Sequence, residues 1–244
     1  AAASTQGLVS LGFIPAFALA CTLIFQFRLW DDLESLEEDR LQHPERILSK
    51  AVSLVPFRAF LILLFTLNSV FLSLGRDFVP RLAAFLLLSG GLLCWYRGRR
   101  RVPHNKLADS HLILLKYPLF VYLITQPSQA GFISLGLSMS VVYLCFCIYE
   151  ILHDRSLGSV PAARKILGLE IAGLIGLYAV MAAELMSHGL MQAIAQGLLT
   201  VVTLIALTWL FLSHRSMQVV PPGSILVFLL GYLQLFNFSL RGAL

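Results

Sequence analysis

Eight apolar segments dominate this chain, and each has about the length of a helix that crosses a bilayer. They cover roughly residues 8–27, 52–74, 81–96, 111–126, 132–149, 166–186, 191–213 and 222–240. A spanning helix needs about 17–25 predominantly apolar residues, and only the third and fourth segments are short by that measure. Because the runs are long and do not alternate with polar residues, they favour helices over a transmembrane barrel. The sequence therefore predicts an all-α, polytopic membrane helical bundle with eight transmembrane helices.

The composition agrees with a membrane protein. The chain is 58% hydrophobic and 13% charged, whereas soluble domains carry about 25% charged residues. No soluble domain interrupts the apolar segments, so residues 1–244 are predicted to form a single transmembrane domain. The formal charge of +5 is small and dispersed, which excludes nucleic-acid binding. The four cysteines lie inside apolar segments without CxxC or zinc-knuckle spacing, and we interpret them as structural thiols.

The basic residues of the loops predict the orientation. If every segment spans, the loops 28–51, 97–110, 150–165 and 214–221 share one face and contain thirteen Lys and Arg residues. The opposite face has only Arg76, Arg81 and Arg241. By the positive-inside rule the first face is cytoplasmic. We predict an integral protein of the bacterial inner membrane, in contact with membrane lipid, with its acidic motifs facing the cytoplasm.

An acidic stretch follows the first apolar segment. Residues 28–46 contain seven of the thirteen acidic residues. If residues 28–42 extend the first helix, Asp32, Ser35 and Asp39 form one stripe, and Asp31, Glu34 and Glu38 form an adjoining one. Carboxylates stacked in this way repel each other unless a cation bridges them, and Mg²⁺ suits such oxygen ligands. The alternative is a solvated juxtamembrane helix.

Basic residues accompany this stretch. Arg40, Arg46 and Lys50 could bind phosphate oxygens that a metal leaves free. His43 and Pro44 are expected to end the helix or turn the chain.

A second acidic pair lies at the end of the fifth segment. Glu150 and Asp154 are four residues apart, so they share a helical face, and they lie on the same predicted cytoplasmic side as the first stretch. Arg164 and Lys165 follow. Two opposed acidic faces could hold a diphosphate through Mg²⁺. Taken alone, however, a Glu and an Asp four residues apart at a helix end more often mark an ordinary helix boundary.

Other polar residues have structural alternatives. The basic loop from Arg97 to Lys106 could clamp a diphosphate, but a topology determinant near anionic lipid is the plainer interpretation. In that loop, His104 and Asp109 could assist proton removal. Among polar groups inside apolar segments, Asn68 is expected to make interhelical hydrogen bonds, and Glu170 to snorkel or pair with Arg164.

These motifs resemble the UbiA superfamily of intramembrane prenyltransferases. That family has an N-D-x-x-D-x-x-x-D motif, often followed by His-Pro and Arg, and a later D-x-x-x-D motif. The first corresponds here to Asp31, Asp32, Ser35 and Asp39 followed by His43-Pro44-Glu45-Arg46. The second corresponds to Glu150 and Asp154. The chain departs from the pattern at Asp31, Ser35 and Glu150, and these variants resemble a less characterised branch of the superfamily.

The resemblance implies a UbiA-like fold of nine helices, with one helix before residue 8 absent from this sequence. It implies Mg²⁺-dependent transfer of a prenyl group from a polyprenyl diphosphate to an aromatic or other lipophilic acceptor. The implied catalytic residues are Asp32, Asp39, Glu150 and Asp154. The implied metal ligands are Asp31, Asp32, Ser35, Asp39, Glu150 and Asp154. The implied diphosphate-binding residues are Arg40, Arg46, Lys50, Arg164 and Lys165.

Two other functions remain open at this point. A terpene cyclase similar to this family would ionise the same substrate and quench the cation internally. A non-catalytic relative would bind lipid as a subunit of a membrane complex with protein partners, and Ser35 favours this function because it brings no charge. A CDP-alcohol phosphotransferase is less favoured, since its D-x-x-D-G-x-x-A-R pattern is absent.

Overall fold

A computed structural model describes residues 13–42, 44–74, 77–99, 105–124, 132–154, 157, 160–185 and 202. Within these ranges the chain forms nine helices and no strand. They are α1 (Phe13–Glu34), α2 (Leu36–Gln42), α3 (Ile47–Lys50), α4 (Val55–Ser73), α5 (Phe78–Arg99), α6 (Lys106–Leu114), α7 (Lys116–Ile124), α8 (Phe132–His153) and α9 (Ala163–Leu185). The predicted all-α class is confirmed for this part of the chain.

Four helical stretches of the described residues are long and apolar enough to cross a membrane. They are Val55–Ser73, Phe78–Gly98, Lys106–Ile124 and Leu135–His153. Exposed apolar side chains such as Phe60, Ile62 and Leu63 on α4 fit a lipid-facing surface. The predicted segments at 191–213 and 222–240 lie outside the described residues, apart from Val202. The structure thus supports a helical membrane protein with four candidate spans.

The acidic stretch is helical, as the sequence predicted, and one irregular residue, Ser35, separates α1 from α2. The Ser35 N–H donates to the Asp31 carbonyl, and the Asp39 N–H donates to the Ser35 carbonyl, each at 2.9 Å. The helical path therefore continues from α1 into α2. The helix ends at Gln42, immediately before His43, which lies outside the described residues.

The fourth apolar segment forms two helices. Asn105 caps α6, because its side chain accepts a hydrogen bond of 3.0 Å from the Leu107 N–H. The cap begins the helix earlier than the predicted start at residue 111. At Leu115 the N–H donates to the Leu112 carbonyl at 3.2 Å, which ends α6. Lys116 then begins α7 and is buried, although it follows a wholly apolar tetrapeptide.

Helix α8 packs against α6, α7 and α9, and α1 packs against α4. Asn68 of α4 is fully buried between α1 and α4. It accepts a hydrogen bond of 2.6 Å from the Thr22 hydroxyl and donates one of 2.7 Å to the Gln26 side chain. The predicted interhelical role of this amide is confirmed.

Candidate functional site

One polar cavity brings together the two acidic motifs. Its volume is about 180 Å³, and it lies where the ends of α1 and α8 meet α2, α6 and α7. The described charged residues that line it are Arg28, Asp31, Glu38, Lys106, Asp109, Lys116, Glu150 and Asp154. Residues far apart in the sequence thus share one cavity. This agrees with the expectation that two acidic faces lie opposite each other.

Asp31 is the residue of the first motif that reaches this cavity. One carboxylate oxygen accepts a hydrogen bond from the Tyr96 hydroxyl of α5, and the other accepts from the Lys116 ammonium of α7. The Lys116 side chain is 3% exposed, so its charge depends on this carboxylate and the neighbouring acids for compensation. The three side chains join α1, α5 and α7 beside the cavity.

The second motif contributes both of its residues. The Asp154 N–H donates to the Glu150 carbonyl at 2.9 Å, so the last turn of α8 is intact at this point. This turn places both carboxylates on the side of α8 that lines the cavity. Asp109 of α6, which the sequence suggested for proton removal, lines the same cavity and is buried.

The other residues of the first motif do not line this cavity within the described part of the chain. Asp32 pairs with Arg28 at 3.2 Å, and Asp39 pairs with Arg46 at 2.7 Å. The Ser35 hydroxyl is 3.3 Å from an Asp39 carboxylate oxygen. The helix is therefore rotated so that the stripe of Asp31 and Glu38 faces inward, and the stripe of Asp32 and Asp39 is held by arginines.

The surroundings of Asp32 disfavour its negative charge. Burial raises the pKa of this carboxyl, the Arg28 guanidinium opposes the rise, and the charge of Asp31 adds to it. Asp32 lies beyond the apolar segment 8–27, so the shift reflects partial burial against the protein rather than a position within the bilayer.

Most cations at the cavity differ from those that the sequence singled out, and Lys106 is the one that belongs to the basic loop suggested as a diphosphate clamp. Arg40, Arg46, Lys50, Arg164 and Lys165 are not among its described lining residues. Arg28, Lys106 and Lys116 are. Sequence reasoning missed Lys116, although a lysine inside an apolar segment is costly and was itself a signal of function.

The donor set suits a magnesium ion by its chemistry. Asp31, Glu38, Glu150 and Asp154 supply carboxylate oxygens, the ligands that Mg²⁺ prefers, around a cavity large enough for ordered water. Lys116 and Tyr96 already occupy both oxygens of Asp31. Each carboxylate oxygen has a second lone pair, so Asp31 could bind a metal ion while it accepts these two hydrogen bonds.

Aromatic side chains continue from the cavity into the core. Tyr117, which lines the cavity, stacks on Phe146 with 3.6 Å between ring centroids and 7° between planes. It also meets Phe120 edge-on at 5.6 Å, and Phe120 lies 5.1 Å from Phe27. These rings place a polarisable, apolar wall next to the charged groups.

Compared with known proteins, the chain matches no family model, no curated protein and no solved structure. The resemblance to the UbiA superfamily thus depends on the motif residues themselves, of which Asp31, Glu150 and Asp154 line the cavity.

Proposed function

We propose that this protein is a membrane prenyltransferase that binds a polyprenyl diphosphate in the polar cavity and transfers its prenyl group to a lipophilic acceptor. The observation that carries the proposal is the convergence of Asp31, Glu150 and Asp154 on one cavity beside an aromatic wall. Acidic residues that lie together at the end of an apolar bundle repel each other unless cations compensate their charge.

The charge balance of the cavity supports a cation-dependent anion site. Five carboxylates line it, against three cationic side chains, so its formal charge is −2 among the described residues. A diphosphate is itself an anion and would be repelled unless cations entered with it. Magnesium ions held by Asp31, Glu38, Glu150 and Asp154 would neutralise the leaving diphosphate. Lys116, Arg28 and Lys106 would contact the phosphate oxygens directly.

The reaction follows from these roles. The bond between C1 of the prenyl chain and the diphosphate oxygen breaks, and its electron pair leaves with the diphosphate. The resulting allylic cation forms beside Tyr117, the aromatic side chain that lines the cavity, and an aromatic ring stabilises positive charge. The acceptor then forms a bond to C1 and loses a proton, and the Asp109 carboxylate, which lines the cavity on α6, is the candidate base.

The test is binding of a labelled prenyl diphosphate to the full chain in lipid nanodiscs, with Mg²⁺ and with EDTA. We expect Mg²⁺-dependent binding that falls at least tenfold in Asp31→Asn and in Glu150→Gln. Glu38→Gln and Glu37→Gln form a matched pair on α2, since Glu38 lines the cavity and Glu37 is exposed elsewhere. Only the Glu38 variant should weaken binding.

Asp32→Asn decides which stripe of α1 binds metal. Normal binding by this variant is expected from the observed cavity, whereas loss of binding would assign the metal to Asp32. Unchanged binding in Asp31→Asn, Glu150→Gln and Asp154→Asn together would refute the proposal.

A non-catalytic lipid-binding function is favoured by one observation. The ammonium of Lys116 lies on the Asp31 carboxylate, where it compensates the charge that a metal would otherwise neutralise. A cavity of this kind could bind a phosphate-bearing lipid through lysine and arginine alone. Prenyl diphosphate binding that is unaffected by EDTA, with no transfer to any acceptor, would select this function.

A further inference from the structure

A second cluster of ligand-type side chains lies away from the acidic cavity. It comprises His111 of α6, Cys147 of α8 and Glu170 of α9, and none of the three lines that cavity. One donor atom from each side chain lies within 4.8 Å of the other two. We propose that these residues bind a divalent transition-metal ion, with Zn²⁺ as the expected occupant.

The orientation of His111 suits metal binding. Its Nδ1 lies 2.7 Å from the Leu107 carbonyl, which can only accept a hydrogen bond, so Nδ1 carries the proton. The other ring nitrogen, Nε2, therefore faces Glu170 and offers its lone pair when the ring is neutral. A histidine ligand whose second nitrogen donates to a backbone carbonyl is the usual arrangement in protein metal sites.

Glu170 supplies an independent reason for a ligand. One carboxylate oxygen lies 2.6 Å from His111 Nε2, but the other is buried and has no hydrogen-bond partner among the described residues. The residue is only 7% exposed. An unsatisfied carboxylate oxygen in an apolar helix interface is costly, and a cation at the cluster would satisfy it. The sequence expectation that Glu170 snorkels to water is wrong, because the residue is buried between helices.

The charges balance when the metal binds. Without metal, the Cys147 thiol holds one proton, and the short contact between His111 and Glu170 requires a second proton between them. A divalent ion that displaces both protons leaves a neutral cluster of imidazole, thiolate, carboxylate and metal. A neutral cluster avoids the penalty of burying net charge at the junction of three helices.

The donor chemistry selects the metal. Thiolate and imidazole favour zinc and other later first-row ions over magnesium, which prefers oxygen ligands. A tetrahedral zinc site places donors about 3.5 Å apart, so modest side-chain rotation closes the observed cluster. The His111 side chain is 23% exposed, which leaves room for a water as fourth ligand.

Cobalt is the probe for the experiment, because a thiolate–cobalt bond gives a near-ultraviolet charge-transfer band. The full chain is purified in nanodiscs with chelator, and Co²⁺ is then titrated. We expect one Co²⁺ per chain, a sulfur-to-cobalt band, and its loss when Zn²⁺ displaces Co²⁺.

The chain offers a matched control for the ligand assignment. Cys145 and Cys147 are both fully buried on α8, and only Cys147 belongs to the cluster. Cys147→Ser should abolish the band, and Cys145→Ser should keep it. Glu170→Gln can still form a hydrogen bond with His111, so it tests metal ligation without opening the helix interface. The Co²⁺ affinity of this variant should fall by about 10–100-fold.

The outcomes are separable from misfolding and from the function proposed above. Thermal unfolding in chelator should be similar for wild type and Glu170→Gln, so that lost metal binding reports the ligand. No sulfur-to-cobalt band in the wild type, or an equal band in wild type and Cys147→Ser, would overturn the site. Prenyl diphosphate binding has no bearing on either result.

Discussion

At the scale of single residues, the contact between Lys116 and Asp31 carries the sharpest prediction about stability. The lysine is almost wholly buried, so Lys116→Met leaves a partly buried carboxylate with Tyr96 as its remaining donor. Removing one partner of a buried pair costs about 3 kcal/mol. We expect that loss in the free energy of unfolding, measured in nanodiscs. The double variant Lys116→Met/Asp31→Asn should recover most of it.

The exposed pair of Arg46 and Asp39 provides the control for this prediction. The Arg46 side chain is 43% exposed, and exposed ion pairs contribute under about 1 kcal/mol. Arg46→Met should therefore change the unfolding free energy little. An equal cost for Lys116→Met and Arg46→Met would show that Lys116 is solvated in the bilayer-embedded protein.

The raised pKa of Asp32 predicts a pH dependence of stability. Because burial raises the pKa of this carboxyl in the folded state, the folded protein prefers the protonated form. The favourable contribution is fully present below the unfolded-state pKa and is lost as pH rises through the folded pKa. The Asp32→Asn variant has no titrating carboxyl at this position, so it does not suffer that loss. The melting temperature of the variant minus that of the wild type should therefore increase from acidic to neutral pH. A constant difference between the two proteins would contradict the shift.

The sequence predicted which acids share a helical face, but not which face turns inward. Spacing separates Asp31 and Glu38 from Asp32 and Asp39 with certainty, because it depends only on the helical period. The rotation of α1 depends on long-range packing, such as the contact of Phe27 with Phe120 and the bond from Tyr96 to Asp31. Those contacts join residues distant in sequence, and periodicity contains no information about them.

At the scale of helices, Gly173 lies at the exposed edge of the contact between α9 and α8. A Cβ at this position would lie 3.3 Å from a methyl group of Leu144, whereas one at Gly176 would meet nothing within 4 Å. Gly173→Leu should push the Leu144 methyl group aside and lower the free energy of unfolding by at most about 1 kcal/mol relative to Gly176→Leu, because the position is exposed. Gly176→Leu, one turn away on the same helix, should be tolerated. Equal effects of the two substitutions would contradict the observed packing.

The division of the fourth apolar segment shows where helix prediction from hydropathy ends. The segment was expected as one helix over 111–126, although Pro118 lies inside it and has no backbone N–H to donate to the Leu114 carbonyl. The start at Lys106 depends on the Asn105 cap, which a close search for capping residues could have found. The break at Leu115 puts Pro118 in the first turn of α7, where its missing N–H is tolerated, so part of the cause is local. The burial of Lys116 against Asp31 is a contact between helices, which periodicity does not encode.

At the scale of the whole molecule, two groups of contacts agree with an alternating arrangement of the spans. The Arg81 guanidinium, at the start of α5, donates to the Leu123 carbonyl at the end of α7, with 2.8 Å from Nε to that oxygen. Tyr96, near the other end of α5, meets Asp31 near the end of α1. The start of α5 and the end of α7 therefore lie on one side, and the acidic cavity lies towards the other.

The positive-inside count predicts that the side of the acidic cavity is cytoplasmic, and site-directed labelling can test this prediction. Glu45 lies in the charged connection between α2 and α3, which precedes α4 in the chain. Leu74 follows the C-terminal end of α4. Both are exposed, so a cysteine at either position is chemically accessible. In a background without native cysteines, a membrane-impermeant maleimide applied to intact cells should label Leu74→Cys and spare Glu45→Cys. Permeabilised cells should label both. The reverse pattern would place the cavity outside, where a cytoplasmic supply of prenyl diphosphate could not reach it, and the proposed transfer reaction would then fail together with the topology.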